Sequence, residues 1–259
     1  MIFETHAHYD DERFDEDREE LLAKVHDSGV HPIINVGASI ASTRTTLALA
    51  QSHAYMYAAV GVHPSDIACL DEESFAWLKE QTVYGKTVAV GEIGLDYYWD
   101  KEPEVQEKQR YWFKRQLELA REVALPVIVH SRDAAADTLR VMKEAHAENI
   151  PGVIHCYSYS AELAEEFVRM GYYIGVGGVV TFKNAKKLVE TVQAIPMERI
   201  LLETDSPYMS PEPHRGKRND SRNIPYVIAK IAELKDMSPA EVERITEENA
   251  YRLFTRCKN

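Results

Sequence analysis

The chain has 259 residues, 45% of them hydrophobic and 28% charged, and its formal net charge is −12. This composition excludes a disordered or fibrous chain and is typical of a globular protein with a large core, while the negative charge excludes long-range attraction to nucleic acid. A polyanionic substrate would therefore need local positive charge, either from bound cations or from the basic segment PHRGKRNDSR at 213–222.

The N-terminal stretch and the cysteines indicate the compartment. MIFETHAHYDD turns acidic before an apolar secretory region can form, and no apolar run approaches the ~20 residues of a membrane span. The three cysteines, Cys69, Cys156 and Cys257, are odd in number and widely spaced, which excludes a disulfide framework. We therefore expect a cytoplasmic monomer that has no membrane partner.

Eight short apolar runs alternate with segments of helical periodicity. In chain order the predicted strands are MIFETH (1–6), PIINVG (32–37), MYAAVGV (56–62), TVAVGEI (87–93), PVIVHS (126–131), GVIHCY (152–157), YYIGVG (172–177) and ILLETD (200–205). Near-continuous apolar strands are buried on both faces by flanking helices. Eight such units predict an α/β fold, a single-domain TIM barrel over residues 1–259, with an open doubly wound sheet as the alternative.

An irregular, proline-rich stretch at 206–225 follows the eighth strand, and two helices come after it. The last helix is predicted to begin at SPAE (238–241), with Ser238 as N-cap, Pro239 at the first helical position and Glu241 at the third. Its apolar positions continue to Phe254. The barrel therefore carries an extra C-terminal helix.

Titratable side chains stand at the carboxyl ends of six predicted strands, where a TIM barrel places its active site. In chain order they are His6 and His8, His63, Glu92, His130, His155 and Asp205. The spacing of His6 and His8 puts both imidazoles on one face of the first strand. The five other histidines, His26, His31, His53, His146 and His214, fall in predicted helices or loops and are interpreted as ordinary polar residues.

Burial makes the two carboxylates informative. On a barrel strand, Glu92 or Asp205 would cost several kcal/mol unless a cation or a proton compensated its charge. Together with the imidazoles of His6, His8, His130 and His155, they form the donor set of a two-metal site that activates water. His63 keeps two equally supported interpretations, as a polar residue that ends its strand by bonding the backbone or as a substrate-binding residue.

Basic and aromatic residues near the predicted mouth fit a phosphodiester substrate. Arg132, Arg215, Lys217 and Arg218 are candidates for phosphate binding, with surface ion pairs as the alternative interpretation. Tyr97, followed by Tyr98 and Trp99, either stacks on an unpaired base or packs its own loop. The glycine-rich GVGGVV at 175–180 lacks the spacing of a dinucleotide site.

Eight motifs spread over the chain are specific when taken together: THAHYD (5–10), GVHP (61–64), GEIGLDYY (91–98), HSRDA (130–134), HCYS (155–158), ETDSPY (203–208), RGKRN (215–219) and NAYRLF (249–254). With them the sequence resembles the TatD family of metal-dependent deoxyribonucleases, within the amidohydrolase-like TIM barrels. It departs from the family pattern at Glu4, where Asp is usual, at Tyr9, where an aliphatic residue is usual, and in HCYSYS, where HCFSG is usual. Glu4 shares a strand face with His6 and is expected to support the metal ligands.

The resemblance implies a hydrolase with two divalent metal ions, Mg²⁺, Mn²⁺ or Zn²⁺. By this analogy His6, His8 and Asp205 hold one ion, His130 and His155 hold the other, and Glu92 bridges them. Asp205 would orient the attacking water or take its proton. The implied activity is that of a 3′ exonuclease on single-stranded DNA, which is then the expected partner.

Two other functions stay open. Amidohydrolase-like barrels also include hydrolases of C–N or C–O bonds, although many of these bridge their metals with a modified lysine at the end of the fourth strand, where this chain has Glu92. A non-catalytic binding barrel is the third possibility. Such a protein would be expected to lack some of the ligands, and this sequence has the whole set.

Overall fold

Eight parallel strands follow one another around a single sheet, in the order β1 to β8, in the computed structural model, which describes residues 1–257. The strands are β1 (Ile2–Ala7), β2 (Val30–Val36), β3 (Met56–Val60), β4 (Thr87–Asp96), β5 (Val127–Arg132), β6 (Gly152–Ile154), β7 (Tyr173–Val176) and β8 (Ile200–Leu202). A parallel bridge between Ala7 and Ser206 joins the two edges. The predicted TIM barrel is confirmed in preference to the open sheet. Residues 258 and 259, the end of the predicted domain, lie outside the described residues.

Helices occupy the connections between successive strands and follow the last one. They are α1 (Arg18–Asp27), α2 (Ile40–Ser52), α3 (Glu72–Gln81), α4 (Pro103–Val123), α5 (Ala135–Glu144), α6 (Ala161–Arg169), α7 (Lys186–Ala194), α8 (Ile224–Lys235) and α9 (Pro239–Leu253). Among residues 1–257, no helix combines the length and the apolar character that crossing a membrane requires.

The predicted C-terminal helix is confirmed as α9. It begins with a capping box, in which the Ser238 hydroxyl accepts from the Glu241 amide at 3.2 Å and the Glu241 carboxylate accepts from the Ser238 amide at 3.0 Å. The Phe254 ring, just after the helix, stacks on Phe3 of β1 with centroids 6.1 Å apart. The helix therefore packs against the amino-terminal end of the barrel.

The barrel interior is filled by an apolar cluster with members from all eight strands. These members include Phe3, Ile34, Tyr57, Val88, Ile128, Val153, Tyr173 and Leu201. Such a layer is the packed core of a TIM barrel rather than a pore. Leu253 and Phe254 belong to the same cluster, so the C-terminal segment closes this end and leaves the carboxyl mouth for the site.

Candidate metal centre

The inward-facing rows of two strands end in predicted ligands. Side chains two residues apart share a face of a strand. His130 is two residues beyond Ile128 on β5, and His155 is two residues beyond Val153 of β6, and both apolar residues belong to the interior cluster. The strand period therefore carries these imidazoles from the core to the carboxyl mouth of the barrel.

The carboxylate of Glu92 stands between two pairs of imidazoles. Its Oε1 lies 2.7 Å from Nδ1 of His130 and 2.6 Å from Nε2 of His155. Its Oε2 lies 3.5 Å from Nε2 of His6 and 3.6 Å from Nε2 of His8. Since each oxygen faces a different pair, the geometry is suited to a carboxylate that bridges two cations.

Asp205 joins the pair formed by His6 and His8. Its Oδ1 lies 3.4 Å from Nε2 of His8 and 3.8 Å from Nε2 of His6, and these nitrogens are 3.1 Å apart. Two ligand atoms that are each ~2.1 Å from one tetrahedral cation lie about 3.4 Å from each other. The three side chains therefore have the separations of ligands to a shared ion.

Hydrogen bonds direct two of the imidazoles in the way that metal binding requires. Nδ1 of His8 lies 2.8 Å from the carbonyl oxygen of Val36, so Nδ1 carries a proton and Nε2 is the nitrogen turned toward the centre. Nε2 of His130 lies 3.1 Å from Oδ2 of Asp96, so Nδ1 is the nitrogen turned toward the centre. Four imidazoles and two carboxylates arranged in this way fit divalent metal ions.

The two carboxylates keep their charge despite burial. Burial by itself raises the pKa of Glu92, but the facing imidazoles, that of His155 foremost, hold it well below the usual range. Burial also opposes the ionisation of Asp205, and a hydrogen bond from His8 lowers the pKa of this carboxyl. The centre therefore supplies the negative charge that divalent cations need.

His63 uses its two ring nitrogens differently. Nδ1 accepts a hydrogen bond from the amide of Ser65 at 3.1 Å and caps the short helix Pro64–Cys69. The proton is then on Nε2, which lies 3.8 Å from Oε1 of Glu92. Burial lowers the pKa of His63 to about 3, so the ring is neutral and presents an N–H donor to the cleft. The ring thus bonds the backbone through Nδ1 and turns Nε2 toward the cleft.

Glu4 joins the first strand to the segment after the last. Its carboxylate accepts four hydrogen bonds of 2.7–3.1 Å, from the amide of His6, the amide and hydroxyl of Thr204 and the hydroxyl of Ser221. Burial raises the pKa of Glu4 to about 7, although these donors favour the charged form. Glu4 therefore ties the backbone of His6 to Thr204 and Ser221.

Two further buried acids were missed by the sequence reasoning. Asp96 lies four residues beyond Glu92 on β4 and contacts His130. Glu203 lies two residues before Asp205, accepts from the amide of Cys156 at 2.5 Å, and has a pKa that burial raises to about 8. Both are separated from a ligand by an even number of residues, so the period of two along a strand was the signal that could have found them.

A cleft of about 960 Å³ lies over the ligands, and its lining includes His63, Glu92 and Asp205. Arg132, which follows His130, also lines it, with its guanidinium carbon 3.9 Å from the centroid of the Tyr98 ring. Trp99 lies beside this pair and is 66% exposed. A cation and aromatic faces therefore stand together at one side of the mouth.

A second group of cations and rings comes from the segments after β7 and β8. Arg215 lies over Phe182 at 4.4 Å, and both residues line the cleft. Tyr208, another lining residue, is 46% exposed and is covered on one face by Arg13 at 4.0 Å. The guanidinium groups of Arg132 and Arg215 thus line the mouth together with carboxylates such as Asp10, Asp11 and Asp66.

Three of the predicted substrate-binding residues do not reach this cleft. The Tyr97 hydroxyl donates to Asp137 at 2.8 Å, between α4 and α5. Arg218 forms an ion pair with Asp17 at 2.6 Å, which fits the alternative interpretation of surface ion pairs. Lys217 is exposed and is not among the cleft-lining residues of the described chain.

Comparisons with known proteins agree with this geometry. The family model described as TatD related DNase matches residues 3–255. YabD of Bacillus subtilis, named a metal-dependent hydrolase, is 45% identical over 254 residues, which cover 98% of this chain and 99% of YabD. The 3′-5′ ssDNA/RNA exonuclease TatD of Cronobacter sakazakii is 32% identical over 262 residues, 98% of each chain. The crystal structure of YJJV, a TatD homologue of Escherichia coli, has a TM-score of 0.91 at 34% identity and 98% coverage of each chain.

Proposed function

The chain belongs to the TatD-related DNase family and is a metal-dependent hydrolase, and from this premise we propose that it is a 3′ exonuclease that hydrolyses single-stranded DNA with two divalent metal ions. The observation that carries the proposal is Glu92, whose two carboxylate oxygens face two separate pairs of imidazoles. The name of the Cronobacter sakazakii relative supports the same chemistry. We place the activity in one domain over residues 1–259, acting as a cytoplasmic monomer.

In this proposal His6, His8 and Asp205 hold one ion, His130 and His155 hold the other, and Glu92 binds both. A donor set rich in imidazole favours Zn²⁺ over Mn²⁺ and Mg²⁺, which suit oxygen ligands better. When bound, the ions polarise the phosphodiester and lower the pKa of water toward neutrality.

The side chains at the mouth move the proton and stabilise the developing charge. Asp205, whose side chain is 17% exposed, takes a proton from the attacking water. The oxygen of this water forms a bond to phosphorus while the bond from phosphorus to the 3′ oxygen of the preceding nucleotide breaks. That oxygen leaves with the electron pair and is protonated by solvent. Neutral His63 donates a hydrogen bond from its Nε2–H to a non-bridging phosphoryl oxygen.

The rim of the cleft recognises an unpaired strand. Arg132 and Arg215 neutralise phosphates next to the scissile bond, since a guanidinium can bind two phosphate oxygens at once. The exposed rings of Trp99 and Tyr208 stack on nucleobases, which a paired duplex would not offer; such stacking contributes ~1–3 kcal/mol per base. Local charge thereby offsets the repulsion expected from a net charge of −12.

A substrate panel tests the proposal. Metal-stripped protein is reloaded with Zn²⁺, Mn²⁺ or Mg²⁺ and given single-stranded DNA labelled at either end, duplex DNA, RNA, and a set of amides and esters. We expect mononucleotides to be released stepwise from the 3′ end of single-stranded DNA, and the metal-free protein to be inactive. DNA left intact under every metal would contradict the proposal, and hydrolysis confined to amides or esters would favour the amidohydrolase alternative.

A further inference from the structure

Asp96 contacts both a predicted metal ligand and a loop at the rim of the cleft. Its Oδ2 lies 3.1 Å from Nε2 of His130. Its Oδ1 accepts hydrogen bonds from the backbone amides of Tyr98 at 2.9 Å and Trp99 at 3.1 Å. The residue is 1% exposed, so both carboxylate oxygens are committed inside the protein.

We propose that Asp96 is a positioning residue that sets the tautomer of His130 and thereby decides which ring nitrogen faces the second metal ion. The inference rests on the proposed function, because it concerns the ion assigned to His130 and His155. A neutral imidazole has one N–H and one lone pair, whereas an ionised carboxylate only accepts hydrogen bonds. With a cation beside Nδ1 the ring keeps a single proton, and this proton lies on Nε2, where the carboxylate of Asp96 accepts it.

The tautomer also determines whether the other ring nitrogen has a lone pair for the metal ion. Nδ1 of His130 lies 2.7 Å from Oε1 of Glu92 and 3.2 Å from Nε2 of His155, which is the direction of the proposed ion. With the proton on Nε2, the lone pair of Nδ1 points there. In the opposite tautomer a lone pair would face the carboxylate of Asp96, and a proton would occupy the side of the ring that binds metal.

Asp96 is itself held firmly. Gln109 of α4 is fully buried, and its Oε1 accepts from the amide of Asp96 at 2.9 Å. Its Nε2 lies 3.2 Å from the carbonyl oxygen of Asp96 and donates to Asp100 at 2.8 Å. Because the helix fixes the backbone at both ends of this turn, the carboxylate cannot swing away without breaking buried hydrogen bonds.

The variant Asp96→Asn separates the two roles of this side chain. The amides of Tyr98 and Trp99 demand an acceptor at the position of Oδ1, so the amide oxygen of asparagine takes that place and the loop is retained. Its NH₂ group then faces His130 and can donate a hydrogen bond only to an Nε2 that has a lone pair. The substitution therefore keeps size and loop contacts while it reverses the tautomer of the metal ligand.

Two measurements on the full chain test this. In Zn²⁺-loaded protein with ¹⁵N-labelled histidine, NMR should show His130 protonated on Nε2 and not on Nδ1 in the wild type, whereas in Asp96→Asn the unprotonated nitrogen should be Nε2, with His130→Gln identifying the signal. Titration with Zn²⁺ against a chromogenic chelator should show the second equivalent binding about 10–100-fold more weakly to the variant. Trp99→Ala, which alters the same loop without touching His130, should bind both equivalents like the wild type.

The outcomes separate this inference from the proposed function. A Zn²⁺-loaded wild type in which His130 is protonated on Nδ1, or a folded Asp96→Asn that binds the second equivalent with wild-type affinity, would overturn the inference. If Asp96→Asn does not fold, the tautomer of the wild type decides alone. A wild type that binds Zn²⁺ but cleaves no DNA would refute the proposed function and leave the tautomer result standing.

Discussion

Replacing Glu92 by glutamine keeps the shape of the bridging side chain and removes its charge. The carboxylate lies within 2.6–3.6 Å of four ligating nitrogens, so both ions of the proposed centre depend on it. At an effective dielectric constant of about 20, a unit charge attracts a divalent ion 4 Å away by about 8 kcal/mol. If two thirds of this attraction only offsets desolvation, the substitution still removes about 2.7 kcal/mol of metal-binding free energy. This corresponds to roughly a hundredfold loss of metal affinity.

We therefore expect Glu92→Gln to bind Zn²⁺ at least about a hundredfold more weakly and to lose kcat on single-stranded DNA by a similar factor or more. Metal content is measured after equilibrium dialysis, and cleavage is followed with end-labelled oligonucleotide. Glu107→Gln is the matched control, because Glu107 is exposed on α4 and pairs with Arg110. A Glu92→Gln protein that retains wild-type metal affinity and cleavage would refute the bridging role.

Three further variants test other parts of the structure. Phe254→Ala should lower the free energy of unfolding by about 3–5 kcal/mol in urea, because the ring is fully buried against Phe3; a loss below ~1 kcal/mol would contradict its role in closing the barrel. Glu4→Ala leaves four buried donors without an acceptor and should lower the free energy of unfolding by about 3 kcal/mol or more. Unchanged stability would contradict the role of Glu4 in joining the first strand to the segment after the last. Arg215→Ala should raise the KM for oligonucleotide and reduce the slope of log affinity against log salt concentration by ~0.7. Arg218→Ala is the control and should leave both quantities unchanged, because Arg218 pairs with Asp17. Equal effects of the two substitutions would refute the placement of the cleft.

The sequence by itself determined the architecture and the set of residues at the strand ends. Each strand alternates between inward and outward side chains, and a TIM barrel brings all carboxyl ends to one mouth. These two rules are enough to bring His130, His155 and Glu92 together from positions far apart in the chain. They depend on local periodicity and strand count, both of which can be read from one sequence.

Only the tertiary structure decided the directions of the loop side chains and the partners of the ligands. Tyr97 turns toward Asp137 while Trp99 lines the cleft, and Arg218 pairs with Asp17 while Arg215 reaches the mouth. A loop has no regular period, so the direction of its side chains follows from contacts with distant elements.

The contact between Asp96 and His130 likewise depends on the register of β4 against β5, which pairs Gly94 with His130 and Asp96 with Arg132. This register brings an acid on one strand within hydrogen-bond reach of an imidazole 34 residues later in the chain. Strand pairing is formed by backbone hydrogen bonds that every residue type can make, so the identity of two neighbouring side chains does not by itself show that they are paired. The candidate ligands can be read from the local sequence, whereas the ring nitrogen that each imidazole turns toward the centre depends on the assembled barrel.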